Sequence, residues 1–487
     1  LTLKIFELHL KYAADPEHTA LKYNQLKVSY AELENQVEHY ARYIVHLGLK
    51  PGDRVAIALP NCPEFIYSYL GITRAGGVAV PLNLLQSPRE LAFMLKDAGT
   101  NFLITSEAIG RQLQQLPGLS LTPVILDKAC REQISSASPA AFPAICPDTV
   151  CTFLYTSGTT GQPKAVMLTH ANLVANVIAM DNVSDFDRDD NFLAVLPMFH
   201  SFGWATSVLL PLYLGCGITI LDRFMPKEVL QVLAEEKVTV FCGVPSMFSL
   251  MLKLRRTLPF SRLRYAFSGG DSIPPEHLRE FENKFKIPVI EGYGLSEASP
   301  LVSLNPIKGL RKAKSIGIPL PGVEVRIIDE ENRDLPPGEV GELLVKGPNV
   351  MHGYYNRKEE TADTLKDGWL HTGDLGYRDP ECYLYLVGRK KELIITAGLN
   401  VYPKEVEEAL EEFPAVAEAA VIGVPHPVKG EVIKAYIRPE EGQKPDRQEL
   451  LRFLRNRLAN YKIPEAIVFT GDLPRGASGK ILKRLLK

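Results

Sequence analysis

The 487-residue chain carries 55 Lys+Arg against 57 Asp+Glu, a formal net charge of −2, and 46% hydrophobic residues. Such a composition builds cores, about three globular units of roughly 150 residues each, and excludes a disulfide-stapled miniature or a disordered tail. The near-neutral balance offers no electrostatic footprint for nucleic acid, so no nucleic-acid partner is expected.

Cys62, Cys130, Cys146, Cys151, Cys216, Cys242 and Cys382 are odd in number and scattered, with no C-x-x-C pair and no histidine at metal-ligand spacing. They read as reduced thiols. The opening LTLKIFELHL mixes acid and base and lacks the apolar centre of a signal peptide, so a cytoplasmic location is expected; the missing initiator Met reads as a trimmed start.

Taken in order, SYAELENQVEHYARYIVHLG places Leu33, Val37, Tyr40, Ala41, Ile44 and Val45 on one helical stripe, with Gly48 as the stop. DRVAIALP reads as a strand, PEFIYSYLGITRAGG as a helix, GVAVPLN as a strand, ELAFMLKDAG as a helix and NFLIT as a strand. That alternation predicts crossover units on a largely parallel sheet. SSASPAAFPAICP (135–147) predicts a connection rather than a packed element.

Between Asp190 and Asp222 no Asp, Glu, Lys or Arg occurs, longer than the ~20 residues a bilayer helix needs. Pro197, Gly203, Pro211, Gly215 and Gly217 divide the stretch into a run at 192–196, a helix near 201–213 and a run at 218–221. Buried core is therefore expected, and no membrane span. From 225 to 290 the alternation resumes. From about 313 to 388 short β-like runs (VEVRIID, VGELLVKG, CYLYLVG) predict an antiparallel, barrel-like lobe. Beyond Gly388 a unit of about 100 residues has its own alternation, and the charged GRKKE cluster marks the boundary.

The most informative stretch is Tyr155-Thr-Ser-Gly-Thr-Thr-Gly-Gln-Pro-Lys164. Its glycines permit tight turning, its hydroxyls and amides can donate to phosphate oxygens, and Lys164 supplies a positive charge. It is not a Walker A loop, because Pro163 stands where the glycine before lysine is required.

YTSGTTGQPKAV closely resembles the signature of the adenylate-forming superfamily, which includes acyl-CoA synthetases, aryl-CoA ligases, luciferases and peptide-synthetase adenylation domains. RAGGVAVPLN, SGGD, EGYGLSEAS, LHTGDLG, GRKKELIITAGLNVYPKEVE and PRGASGKILKR resemble the remaining motifs, in the family's order, over almost the whole chain. The resemblance, nearest to fatty acyl-CoA ligases, implies an α/β fold. Residues 1–388 would form a large N-terminal AMP- and acyl-binding domain of two αβ sheet subdomains plus a β-barrel-like lobe. Residues 389–487 would form a small, mobile α+β C-terminal lid.

The chemistry so implied is attack of a carboxylate on the α-phosphate of ATP, giving an acyl-adenylate and pyrophosphate, then transfer to a thiol. Two anions must meet, so charge neutralisation and alignment matter more than a nucleophilic side chain. By resemblance, Thr156, Ser157, Gly158, Thr159, Thr160 and Lys164 cradle phosphate, and Glu297 in EGYGLSE is the Mg²⁺ ligand, a suitable hard oxygen donor. Tyr293 would stack on adenine beside Gly294 and Ser296, a position often Thr in relatives, and Gly269 and Gly270 would let adenine lie against the backbone. Asp374, with Arg389 assisting, would accept from both ribose hydroxyls. Lys480 would be the catalytic lysine of adenylation, Lys391 the hinge, and Gly398 part of the pantetheine tunnel.

MFHSFG resembles the segment where relatives place a histidine beside the reacting carboxylate, which gives His200 a substrate-positioning role. Phe199-His200-Ser201 offers no carboxylate for a substrate ammonium, and GVPSMFSLM and MFHSFGW are apolar, so a fatty acid is expected ahead of an aryl acid. ATP, Mg²⁺ and CoA are the implied cofactors and cosubstrate. A carrier-protein phosphopantetheine as acceptor, a homodimer, and a non-catalytic nucleotide or acyl sensor stay open.

Overall fold

A computed structural model of the chain describes residues 3–12, 15–114, 121–157, 162–254, 260–476 and 481–486. The chain packs as two compact units, Leu1–Glu324 with Val345–Leu370, and Val325–Leu344 with His371–Lys487.

In the first unit, helix Tyr30–His46 begins where Ser29 and Glu32 form a reciprocal capping box, and it buries Tyr30, Leu33, Val37, Tyr40, Ala41 and Ile44. Val45 is only half-buried. The neighbouring helix Pro63–Arg74 packs tightly against it at Gly71, where a β-carbon would stand 2.8 Å from that of Tyr40.

Two sheets organise this unit. In one, Val78–Pro81, Arg54–Ala58, Phe102–Thr105 and Thr122–Ile125 run parallel, as the alternation predicts. Val150–Ser157 joins them in parallel and then pairs antiparallel with Pro163–Thr169. In the other, Asn191–Ala194 lies between Gly217–Ile220 and Val240–Gly243, followed by Tyr265–Ser268 and Val289–Gly294, all parallel.

The uncharged stretch is core. It forms the strand Asn191–Ala194, helical turns from Ser201 to Leu214 with a π-helical segment at Ala205–Leu209, and the strand Gly217–Ile220. Trp204 and Leu212 within it are buried. No helix among the described residues is long and apolar enough to cross a membrane. Residues 136–148 contain no helix or strand, as their Pro and Ser content predicts.

Glu324–Ile328, Gly341–Lys346, Trp369–Arg378 and Leu384–Arg389, most of whose residues belong to the second unit, lie side by side. These are the β-like runs expected to make a barrel-like lobe. Among the described residues they lie at one end of an open run of strands and close no barrel. The last part of the chain builds its own core. Val416–His426 and Gly430–Pro439 pair antiparallel, Ala466–Phe469 joins in parallel, and helices Pro403–Glu411 and Arg447–Arg455 contribute Val406, Leu410, Leu450 and Leu454. All seven cysteines are free thiols.

Candidate functional site

Strand order reverses at Asn191–Ala194, since the chain proceeds from it to Gly217–Ile220 on one side and Val240–Gly243 on the other. In open parallel sheets such a switch point leaves a crevice beyond the carboxyl ends of the strands, where ligands bind. MFHS follows Asn191–Ala194, SGGD completes Tyr265–Ser268, and LSE follows Val289–Gly294, so three predicted segments leave the same edge.

Side-chain contacts tie them together. Ser201 Oγ and Ser296 Oγ lie 3.4 Å apart. The Phe202 ring lies 3.2 Å from where a Gly269 β-carbon would stand, so only glycine fits there without moving that ring. His200 caps the helix Ser201–Trp204, its Nδ1 accepting from the Phe202 N–H at 3.3 Å. His200 keeps a solvent-accessible face yet is closely surrounded by protein, as on the wall of a recess, and this desolvation lowers its pKa. It stands as a neutral imidazole, in keeping with positioning. Gly270 has φ +86°, and Tyr293 is buried. A β-carbon at Gly294 would stand 2.3 Å from the Pro300 carbonyl oxygen, which excludes any side chain there.

The glycine-rich segment joins two strands of a hairpin, with Thr156 opposite Lys164 and Ser157 opposite Pro163. The helix His170–Asp181 begins only after the second strand, so it does not start at the glycine-rich segment as the helix of a Walker A loop does. Gly158, Thr159, Thr160 and Lys480 lie outside the described residues.

Lys164 pairs with Glu360, and its Nζ lies 5.2 Å from the centre of the Tyr354 ring. Tyr354 sits on Gly353–Tyr354, a two-residue strand paired with Val166 and Met167 of the Lys164 strand. Its hydroxyl donates to Glu297 Oε1 at 2.9 Å. Burial first, and then the Glu297 carboxylate, raise the phenol pKa, so Tyr354 remains a neutral donor. The Glu297 backbone is fixed as well, because its carbonyl accepts from the Met351 N–H at 2.8 Å. One tyrosine therefore spans the expected phosphate lysine and the expected magnesium ligand.

Among the described residues no group of three His, Cys, Asp or Glu could hold a metal. Mg²⁺ delivered with a nucleotide requires no such group, since it takes one or two carboxylates and completes its shell with phosphate oxygens and water. Glu297, held by Tyr354, fits that part.

In the second unit, Asp374 and Arg389 face each other across antiparallel strands, with Asp374 Oδ1 2.9 Å from Arg389 Nε. The carboxylate side chain is 5% exposed and the guanidinium 41%, so a fixed acceptor sits beside a reachable cation. Glu342 organises the turn before Asp374, accepting from the Gly373 N–H at 3.2 Å and pairing with Lys390 at 2.9 Å. Lys391 lies in the 3₁₀ turn Lys390–Glu392. Ala397 and Gly398, with φ +50° and +80°, form the two-residue turn of the hairpin Ile394–Thr396/Leu399–Val401. Positive φ at both central positions is the signature of a type I′ turn, and it accounts for Gly398 without a ligand.

The sequence reading passed over Tyr354, Glu360 and Glu342. Tyr354 meets Glu297 at a separation of 57 residues, and no local pattern signals such a partner.

The family model "AMP-binding enzyme" matches residues 9–355 and "AMP-binding enzyme C-terminal domain" matches 405–480. The chain is 37% identical to a long-chain-fatty-acid–CoA ligase of Bacillus subtilis, covering 97% of this chain and 91% of that protein. It is 38% identical to a feruloyl-CoA synthase of Amycolatopsis sp., covering 96% and 95%. Among solved structures it resembles ATP-bound MatB from Rhodopseudomonas palustris, with TM-score 0.94, 33% identity and coverage of 100% and 98%. It also resembles O-succinylbenzoate coenzyme A synthetase (MenE) from Bacillus subtilis in complex with ATP and magnesium, with TM-score 0.90, 31% identity and coverage of 100% of both chains. Motif order, fold and whole-length likeness agree, and the chain belongs to the AMP-binding, adenylate-forming enzymes.

Proposed function

We propose that the chain is an ATP-dependent acid–thiol ligase that converts a carboxylic acid, foremost a fatty acid, to its acyl-CoA through an acyl-adenylate. The observation that carries this reading is the Lys164–Tyr354–Glu297 constellation of the first unit. Lys164 would bind phosphate oxygens, Tyr354 would orient Glu297, and Glu297 would hold the Mg²⁺ that accompanies ATP and offsets its charge. Asp374 and Arg389 would take the ribose diol, with Thr156, Ser157, Gly158, Thr159 and Thr160 around the phosphates and Tyr293, Gly269, Gly270, Gly294 and Ser296 around adenine.

In the first half-reaction a carboxylate oxygen forms a bond to the α-phosphorus as the bridge to the β-phosphate breaks, and pyrophosphate leaves. Lys480 would stabilise the charge shifting between them. In the second, the CoA thiol sulfur bonds to the acyl carbon and AMP leaves, the thiol proton passing to solvent. Residues 389–487 would act as the mobile part, turning at Lys391, with Gly398 beside the pantetheine arm. Free thiols throughout support a cytoplasmic setting.

An aryl acid is the second reading, favoured by the likeness to a feruloyl-CoA synthase. A panel of fatty, cinnamic and benzoic acids, read by pyrophosphate release with CoA, with holo-carrier protein and with neither, tests all of this. Acyl-CoA formation fastest with a fatty acid is expected. Thioester only on the carrier would change the acceptor, and no pyrophosphate exchange with any acid would mark a sensor.

A further inference from the structure

The Lys164 ammonium, expected to meet polyphosphate, faces a carboxylate. Its side chain is 13% exposed and pairs with Glu360 on the helix Lys358–Thr364. A second cation stands beside that carboxylate, with Arg357 Nε 3.7 Å from Glu360 Oε1. Arg357 is itself seated on Asp97 at 2.9 Å, and the other Asp97 oxygen accepts from the Tyr155 hydroxyl at 2.9 Å. Charges thus alternate along Lys164, Glu360, Arg357 and Asp97. Thr361 fixes the frame, its Oγ1 accepting from the Tyr354 N–H at 2.9 Å and donating to the Arg357 carbonyl at 2.7 Å.

A carboxylate and a phosphate are both charged acceptors for one ammonium, and a Lys–Glu pair with no net charge draws little polyanion to itself. We propose, resting on the reading that Lys164 binds nucleotide phosphate, that Glu360 is a positioning residue. It acts as a carboxylate latch that holds Lys164 and competes with phosphate for it, while Arg357 takes the carboxylate when Lys164 turns to the nucleotide. A purely structural Lys164–Glu360 tie would behave oppositely, since neutralising Glu360 would then loosen the hairpin and weaken nucleotide binding.

The test is MgATP titration of the full-length chain by calorimetry without acid substrate, with thermal melts alongside. Glu360→Gln should bind MgATP about 3- to 10-fold more tightly. Arg357→Gln, which leaves Glu360 to Lys164, should bind it about 3-fold more weakly. Misfolding cannot produce the first change, and should Glu360→Gln fail to fold, Arg357→Gln still decides, since unchanged or tighter binding there refutes the latch. Lys164→Met should weaken MgATP binding, and adding Glu360→Gln to it should change affinity by less than about 2-fold. Weaker or unchanged binding by folded Glu360→Gln, or its full gain persisting without Lys164, overturns the latch alone. Unaltered affinity in Lys164→Met overturns the phosphate-binding reading and the latch with it.

Discussion

His170 follows directly on the strand that carries Lys164, and its chemistry predicts how that strand responds to acid. The Nδ1 atom accepts from the buried Ile5 N–H at 3.3 Å, and the ring meets Phe6 edge-on with centroids 5.6 Å apart. A nitrogen that accepts carries no proton, and burial, aided by nearby Lys4, lowers the imidazole pKa to about 3. In the unfolded chain it returns to about 6.5, so below that pH the unfolded state takes up a proton that the folded state refuses. Stability is therefore intact above pH ~6.5 and declines as pH falls toward 3. Between pH 7 and 5 the loss from this one group is about 2 kcal/mol. His170→Asn keeps an acceptor for Ile5 and removes the titration. Both tryptophans, Trp204 and Trp369, lie in the first unit with His170, so urea unfolding followed by Trp fluorescence reads that unit. The wild type should lose about 2 kcal/mol more than His170→Asn between the two pH values. Equal losses would refute the argument.

Tyr354→Phe keeps the ring beneath Lys164 but removes the donor to Glu297, so the KM for MgATP in pyrophosphate exchange should rise about 5- to 20-fold with the melting temperature little changed. An unchanged KM would mean that Glu297 does not rely on this hydroxyl. Asp374→Asn should raise the KM for ATP about 10- to 100-fold and bring ATP and 2′-deoxyATP within about 2-fold of each other; persistent discrimination would show that the diol has another partner. Lys480→Ala should slow adenylate formation by about a thousandfold or more while sparing thioester formation from supplied acyl-adenylate, and equal loss in both steps would remove the lysine from the first. Finally, 3-phenylpropionate should support pyrophosphate exchange at least about a hundredfold better than phenylalanine, and comparable rates would contradict the substrate reading.

What could be read in advance was whatever is written locally. The stripe from Leu33 to Ile44 is a period-3.6 pattern with its cap and stop beside it, and the structure buries those positions on one face. The stretch from Asp190 to Asp222 was legible as core because its prolines and glycines cut it to the lengths of buried strands and turns. The lobe of short strands was legible as β but not as open, since closure depends on which strands become neighbours. Within the expected site, Glu297 and Asp374 were singled out by motifs. The Tyr354 hydroxyl and the Glu360 carboxylate were not, because what gives them meaning is a strand pairing and an ion pair made across long separations. Gly398 shows the converse, a motif glycine whose conformation a hairpin turn alone demands.

The expected preference for an uncharged acid tail rests on electrostatics as well. His200 stands where the strand order reverses, near the Phe202 ring that covers Gly269, in surroundings that disfavour its own protonation. Surroundings that withhold a proton from an imidazole also disfavour an ammonium brought in by a substrate, because desolvation penalises either cation. An α-amino acid would need a carboxylate there to compensate, and Phe199, His200 and Ser201 supply none. An uncharged hydrocarbon tail incurs no such penalty and gains about 0.8 kcal/mol for each methylene it buries. The first unit groups Lys164, Glu297, Glu360 and Arg357 where a polyanion would be handled. The segment expected to receive the acyl group is left apolar, an arrangement suited to joining a greasy acid to a highly charged nucleotide.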